Sequence, residues 1–142
     1  MTFENLTALK KQISSSDFNK ARYIFEENNR VKASVDALQK QDIETFGNLL
    51  FESHKGMKEL YEITCEELDF LVNEAQKSID VVGARMMGGG FGGCTINIIK
   101  KNKSQIFFNK LSQKYYEKFG ISCTSIPIII SDGARIIKSE TN

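Results

Sequence analysis

The chain has no tryptophan, one proline, one histidine and three cysteines, and its 19 basic side chains are nearly matched by 18 acidic ones. Each shortage excludes something. A net charge of +1 over 142 residues gives no reason to expect nucleic acid or an anionic membrane surface as the main partner. Cys65, Cys94 and Cys123 stand 29 residues apart and are odd in number, so they form neither a disulfide framework nor a metal knuckle. A reducing cytoplasm is the expected compartment. No apolar run approaches the roughly 18 residues of a membrane span. The first twenty residues hold no continuous apolar core of about 7–15, so no secretory signal is expected. With 41% apolar and 26% charged residues, what remains is ordinary globular material with enough apolar surface for a core.

The N-terminal half reads as helix. Phe3, Leu6, Leu9 and Ile13 make a short amphipathic start, and Ser14-Ser15-Ser16-Asp17 is a break with N-cap chemistry. Ala21, Ile24, Phe25, Asn28, Lys32, Val35 and Leu38 then follow helical spacing, with polar residues in the middle of the stripe. Asp42 caps a second helix whose inner face is Phe46, Leu49, Leu50, Ser53, Met57 and Leu60. Thr64-Cys65-Glu66-Glu67 reads as a capping box with Ile63 and Leu68 as its hydrophobic staple. The helix after it buries Leu68, Leu71, Val72 and Ala75 and leaves Glu66, Asp69 and Asn73 to water.

From residue 81 the period changes. Val81–Met87 and Cys94–Lys100 are strand candidates, and 104–119 returns to helical spacing through Phe108, Leu111, Tyr115 and Phe119, with Gly120 as its C-cap. Thr124–Ile130 and Ala134–Ile137 are β-rich runs around Asp132-Gly133, a hairpin signal, and Pro127 lowers the first run to an edge strand. The order predicts an α+β fold, with helices packed on one face of a mainly antiparallel sheet.

Six of the ten glycines fall within residues 83–94. Ordering so many glycines is entropically costly, so the backbone there needs positive φ or a close approach by something else. Consecutive amides in such a turn can form an anion-binding nest. Residues 88–93 satisfy the dinucleotide fingerprint literally, but that motif needs a helix directly behind it, and Cys94-Thr95-Ile96-Asn97-Ile98 alternates as a strand. A Walker loop is excluded because no Gly-Lys-Ser/Thr follows. A strand–glycine loop–strand element survives, and spacing alone leaves a ligand-facing loop and a tight structural turn both open.

The run Gly83-Ala84-Arg85-Met86-Met87-Gly88-Gly89-Gly90-Phe91-Gly92-Gly93-Cys94 resembles the third signature motif of galactokinases, members of the GHMP small-molecule kinase superfamily. Ala21-Arg22-Tyr23-Ile24 with Glu27-Asn28-Asn29-Arg30-Val31, then Phe46-Gly47-Asn48-Leu49-Leu50 through His54, then Leu60 to Asp69, resemble the helical blocks of that family's C-terminal domain in the same order. Asp132-Gly133-Ala134 matches its last hairpin, so the resemblance runs from about residue 15 to the end of the chain. It implies a GHMP-kinase C-terminal domain over 1–142, with ferredoxin-like elements. The sugar-binding segment, serine-rich phosphate loop, catalytic Asp and Arg of the N-terminal lobe are not in this sequence.

The resemblance implies that Gly88, Gly89, Gly90, Gly92 and Gly93 line the nucleotide-phosphate end of a cleft between lobes. Phe91 is expected to pack on the loop or at the lobe interface rather than against a base. Arg85 either orients a phosphate, bridges to the other lobe or is ion-paired on its strand; these stay open. Met87 departs from the family, which usually has Thr there. His54 reads as structural, because no Asp or Ser stands in a triad arrangement, and Glu66, Glu67 and Asp69 are explained by the helix start. No catalytic residue and no metal ligand is assigned within the chain. ATP and Mg2+ are expected mainly through the other lobe, with galactose as the substrate of the intact enzyme, and this chain alone is expected to be inactive. An N-acetylgalactosamine kinase, a non-catalytic galactokinase-like regulator and a stand-alone binding module are the rival readings.

Overall fold

The computed structural model describes residues 3–133 and residue 136. Helix α1 (Phe3–Leu9) leads to the long α2 (Ser15–Gln39), then α3 (Ile43–Gly56), a one-turn π-helix (Met57–Tyr61) and α4 (Glu66–Gln76). Strands β1 (Val81–Met87) and β2 (Cys94–Ile99) form an antiparallel pair, and α5 (Ser104–Phe119) follows. The α+β class and the antiparallel pairing stand as the sequence implies.

The helix starts follow their chemistry. Ser14 caps α2 by accepting from the Asp17 amide at 3.0 Å, and Asp42 caps α3 by accepting from the Thr45 amide at 3.0 Å. Gly120 ends α5 in the left-handed region at φ 68°. At α4 the expected box is displaced by one residue. Cys65, in extended conformation, is the N-cap and makes no side-chain cap bond. The Glu67 carboxylate instead takes its own amide and the Cys65 thiol, which hold it below the usual Glu range. Ile63 and Leu68 still share one apolar cluster.

Two apolar clusters make the core. Val72 and Ala75 of α4, Val81 and Ala84 of β1, and Phe107 and Leu111 of α5 form the first. Tyr23, Met57, Leu68 and Met86 form the second. Between β1 and α3 the backbones nearly touch: a Cβ on Gly47 would lie 2.0 Å from the Val82 carbonyl oxygen, and one on Gly83 would lie 2.5 Å from the Gly47 Cα. This pair of glycines lets α3 lie directly on the strand.

Four expectations need correction. The buried face of α2 is not the apolar stripe. Ile24, Val35 and Leu38 are exposed, as is Asn28, while Phe18, Tyr23 and Ala37 are buried. The helix is turned so that Glu27 reaches Ser53 of α3 and Arg85 of β1, which apolar periodicity cannot register. In α5 Phe107 is buried and Phe108 only half-buried. Asp69 is not left to water; it meets His54 and Lys58. Residues 121–133 form no strand, so Thr124–Ile130 is exposed chain and the described sheet has two strands. The partner run Ala134–Ile137 lies, but for Ile136, outside the described residues.

Candidate functional site

The glycine loop joins the ends of β1 and β2, where Met87 pairs with Cys94. Its backbone turns through a series of positive φ angles, at Gly88, Gly90, Phe91, Gly92 and Gly93. The loop is pinned at its centre. The Phe91 amide donates to the Ile63 carbonyl oxygen at 2.8 Å, and a Cβ on Gly90 would lie 2.1 Å from that same oxygen. Around Gly88, Gly89 and Gly92 there is open space instead. Phe91 adopts φ 59° and is 75% exposed, so of its two expected packings the one on the loop is not made, and its ring is offered outward. Met87, half exposed, flanks the same rim.

Residue types alone do not reveal the anchor at Ile63. The π-helix ends on Glu62 in the left-handed region at φ 61°, which redirects the chain and presents the Ile63 carbonyl to the loop. Nothing in the composition of residues 57–63 marks that extra turn, and spacing alone reads it as α-helix.

Arg85, one strand position from the buried Met86, points into the helical layer. Its Nη1 donates to Glu27 Oε1 and to Ser53 Oγ, both at 2.9 Å, and its Nε donates to the Met86 carbonyl at 3.2 Å. Ser53 Oγ donates to the same Glu27 oxygen at 2.6 Å, and Arg30 Nε donates to the other at 2.8 Å. Burial pushes the Glu27 carboxyl up, but Ser53 and the two arginines outweigh it and hold it below the ordinary value. Arg85 is thus ion-paired to Glu27 in this chain. It ties the end of β1 to α2 and α3, and it lines neither of the two grooves described below.

His54 sits behind the same strand end. The Met86 amide donates to His54 Nδ1 at 3.2 Å, and His54 Nε2 lies 3.3 Å from Asp69 Oδ1. That second contact is at ion-pair distance but poorly aligned, and neither atom has a well-directed hydrogen-bond partner. Burial lowers the affinity of His54 for a proton and outweighs the opposing pull of Asp69, so the imidazole is held below its usual range.

Two grooves open elsewhere. One of about 490 Å³ lies between α3 and α4 and includes His54 and Asp69; one of about 500 Å³ lies between the end of α4 and α5. Neither is lined by a residue of the glycine loop. The loop is open at Gly88, Gly89 and Gly92 and closed at Gly90, so it offers an exposed wall on one side. Among the described residues no cluster of three or more His, Cys, Asp or Glu could hold a metal, and no helix is long and apolar enough to cross a membrane.

Comparison with known proteins puts this wall in context. The family model described as "GHMP kinases C terminal" matches residues 34–118. Galactokinase of Thermotoga petrophila is 42% identical over 127 residues, which is 89% of this chain and 36% of that protein. Galactokinase of Thermosipho africanus is 38% identical over 139 residues, 96% of this chain and 40% of that protein. The crystal structure of Lactococcus lactis galactokinase complexed with galactose superposes with a TM-score of 0.81 at 36% identity, over 86% of this chain and 32% of that one. The chain thus spans from 32% to 40% of the length of these relatives. The match begins within α2, carries through the glycine loop and ends at α5, and on that ground the chain belongs to the GHMP kinases C-terminal family.

Proposed function

We propose that the chain is the C-terminal lobe of a galactokinase, and that its glycine loop forms one wall of the nucleotide-phosphate site between two lobes. The observation that carries this reading is the loop itself. It is fixed at Gly90 and Phe91 but open at Gly88, Gly89 and Gly92, where a missing Cβ leaves room for a phosphate to approach backbone amides. The open space fits a phosphate, while the absence of a basic side chain from residues 86–94 makes this wall a source of amide dipoles rather than charge. ATP, bound with Mg2+ mainly by the other lobe, would supply the γ-phosphoryl group that is transferred to the anomeric hydroxyl of galactose. In that reaction this chain positions: Gly88, Gly89, Gly92 and Gly93 face the phosphates, Gly90 seats the loop, and Phe91 contributes apolar surface at the cleft. Arg85 supports the strand from behind. The other lobe of the same enzyme is the chain's partner, in the cytoplasm. Relatives at about 40% identity named as galactokinases favour this over an N-acetylgalactosamine kinase or a non-catalytic regulator.

The test joins this chain to the N-terminal portion of the Thermotoga petrophila relative and follows ATP-dependent phosphorylation of galactose. The isolated 142-residue chain should show no transfer, and the hybrid should show transfer that weakens when Gly89 is replaced by Val. Turnover by the isolated chain, or a hybrid indifferent to Val at 89, would overturn the reading.

A further inference from the structure

We propose that His54 is a positioning residue for the glycine loop, holding the end of β1 through a single imidazole tautomer, and that a proton on Nδ1 releases that hold. The Met86 N–H points at Nδ1, so Nδ1 must carry a lone pair. In the neutral ring the one proton is therefore on Nε2, the nitrogen that faces the Asp69 carboxylate. Met86 is fully buried, and Met87 and then Gly88 follow it directly, so the bond sits two residues from the loop. Protonation would set two donors, Nδ1–H and Met86 N–H, against each other at 3.2 Å. Only separation relieves that.

The surroundings favour the neutral form. His54 is 5% exposed. From its own helix Glu52 and Lys55 line the adjoining groove, and from the π-helix Lys58 and Glu59 do so. Asp69 faces it from α4, with Lys58 Nζ 2.8 Å from the other Asp69 oxygen, and Arg85 faces it from β1. Asp69 is the one anion in contact, and it is already shared with Lys58. Burial with the cations Lys58 and Arg85 therefore prevails, and the ring titrates below the ordinary 6.5. The latch is closed at neutral pH and opens only in acid. It holds the loop in the same way whatever the loop binds.

The experiment is a nitrogen-15 NMR titration of the 142-residue chain from about pH 7.5 to about pH 5. His54 is the only histidine, so the imidazole signals need no assignment by mutation. The expected neutral form carries its proton on Nε2. The amides of Met86 and of Gly88 to Gly93 should shift along one curve that shares the imidazole midpoint, below 6.5, while Val81, Phe107 and Leu111 of the other apolar cluster stay still. In His54→Asn, whose amide oxygen can accept from Met86 without titrating, the loop amides should stay fixed across the same range. A neutral ring protonated on Nδ1, loop amides that ignore the His54 midpoint, or shifts spread through the core around Phe107 and Leu111 would each overturn the proposal. The tautomer is read on the wild-type chain, so the test holds whether or not the variant folds.

Discussion

Gly89 and Gly90 are neighbours in one loop, yet different constraints act on them. At Gly90 a side chain meets the Ile63 carbonyl oxygen at 2.1 Å and the backbone sits at φ 89°. Gly90→Ala should cost about 1–3 kcal/mol of strain, visible as a lowered urea midpoint with an unchanged slope. Gly89 has neither problem, since its Cβ would meet nothing within 4 Å and its φ lies outside the left-handed region. Gly89→Ala should leave the midpoint within about 0.5 kcal/mol, or raise it slightly by stiffening the unfolded chain. Equal losses at the two positions would contradict the pinned-centre description of the loop. The Glu27 network makes a second prediction at this scale. Its carboxyl is lowered in the fold, so its contribution is complete above the ordinary value of 4.5 and is lost as pH falls through the folded value. Glu27→Gln leaves Arg85 without its carboxylate. Because both side chains are partly exposed, at 32% and 19%, about 1–3 kcal/mol of stability should go at pH 7. The gap between variant and wild type should narrow in acid titrations of the urea midpoint.

At the scale of elements, the start of α4 offers the sharpest test. Cys65 occupies the N-cap in extended conformation but supplies no cap bond. Serine is nearly isosteric, and its oxygen accepts where sulfur scarcely does. Cys65→Ser should raise stability by up to about 1 kcal/mol in urea denaturation, since the hydroxyl accepts at the cap better than sulfur and is also the stronger donor to the Glu67 carboxylate. A loss would show that the packing of Cys65 beside Met57 and Leu68 outweighs capping. The same helix shows what a sequence reveals about elements. Its apolar spacing places Leu68, Val72 and Ala75 inside because those residues have no alternative partner, and β1 is legible to the residue for the same reason. The cap is harder to place, because Thr64 and Cys65 compete within one residue of each other. The rotation of α2 escapes apolar spacing altogether. Its inward face is held by Glu27, whose partners Ser53 and Arg85 lie 26 and 58 residues away. The glycine loop can be seen from composition, but its seat on Ile63 depends on a left-handed Glu62 that no spacing rule anticipates.

The whole molecule leaves apolar surface on offer. Beyond α5, Ile126, Ile128, Ile129 and Ile130 are between 67% and 96% exposed, and residues 121–131 carry no strand. On α2 the exposed Ile24, Val31, Val35 and Leu38 add a second apolar surface. A branched, exposed apolar run outside the described strands invites pairing between chains, and a solution of isolated lobes has little else to cover it. Light scattering should therefore show an apparent mass that rises with concentration. Truncation after Gly120 should abolish most of that rise, because the isoleucines go with the tail. The melting temperature should change little, because neither apolar cluster includes a residue beyond 111. Association that persists after truncation would place the sticky surface on α2 instead, and Val31→Lys with Val35→Glu should then remove it. Concentration-independent monomers of the full chain would mean that the isoleucine run finds cover within its own molecule.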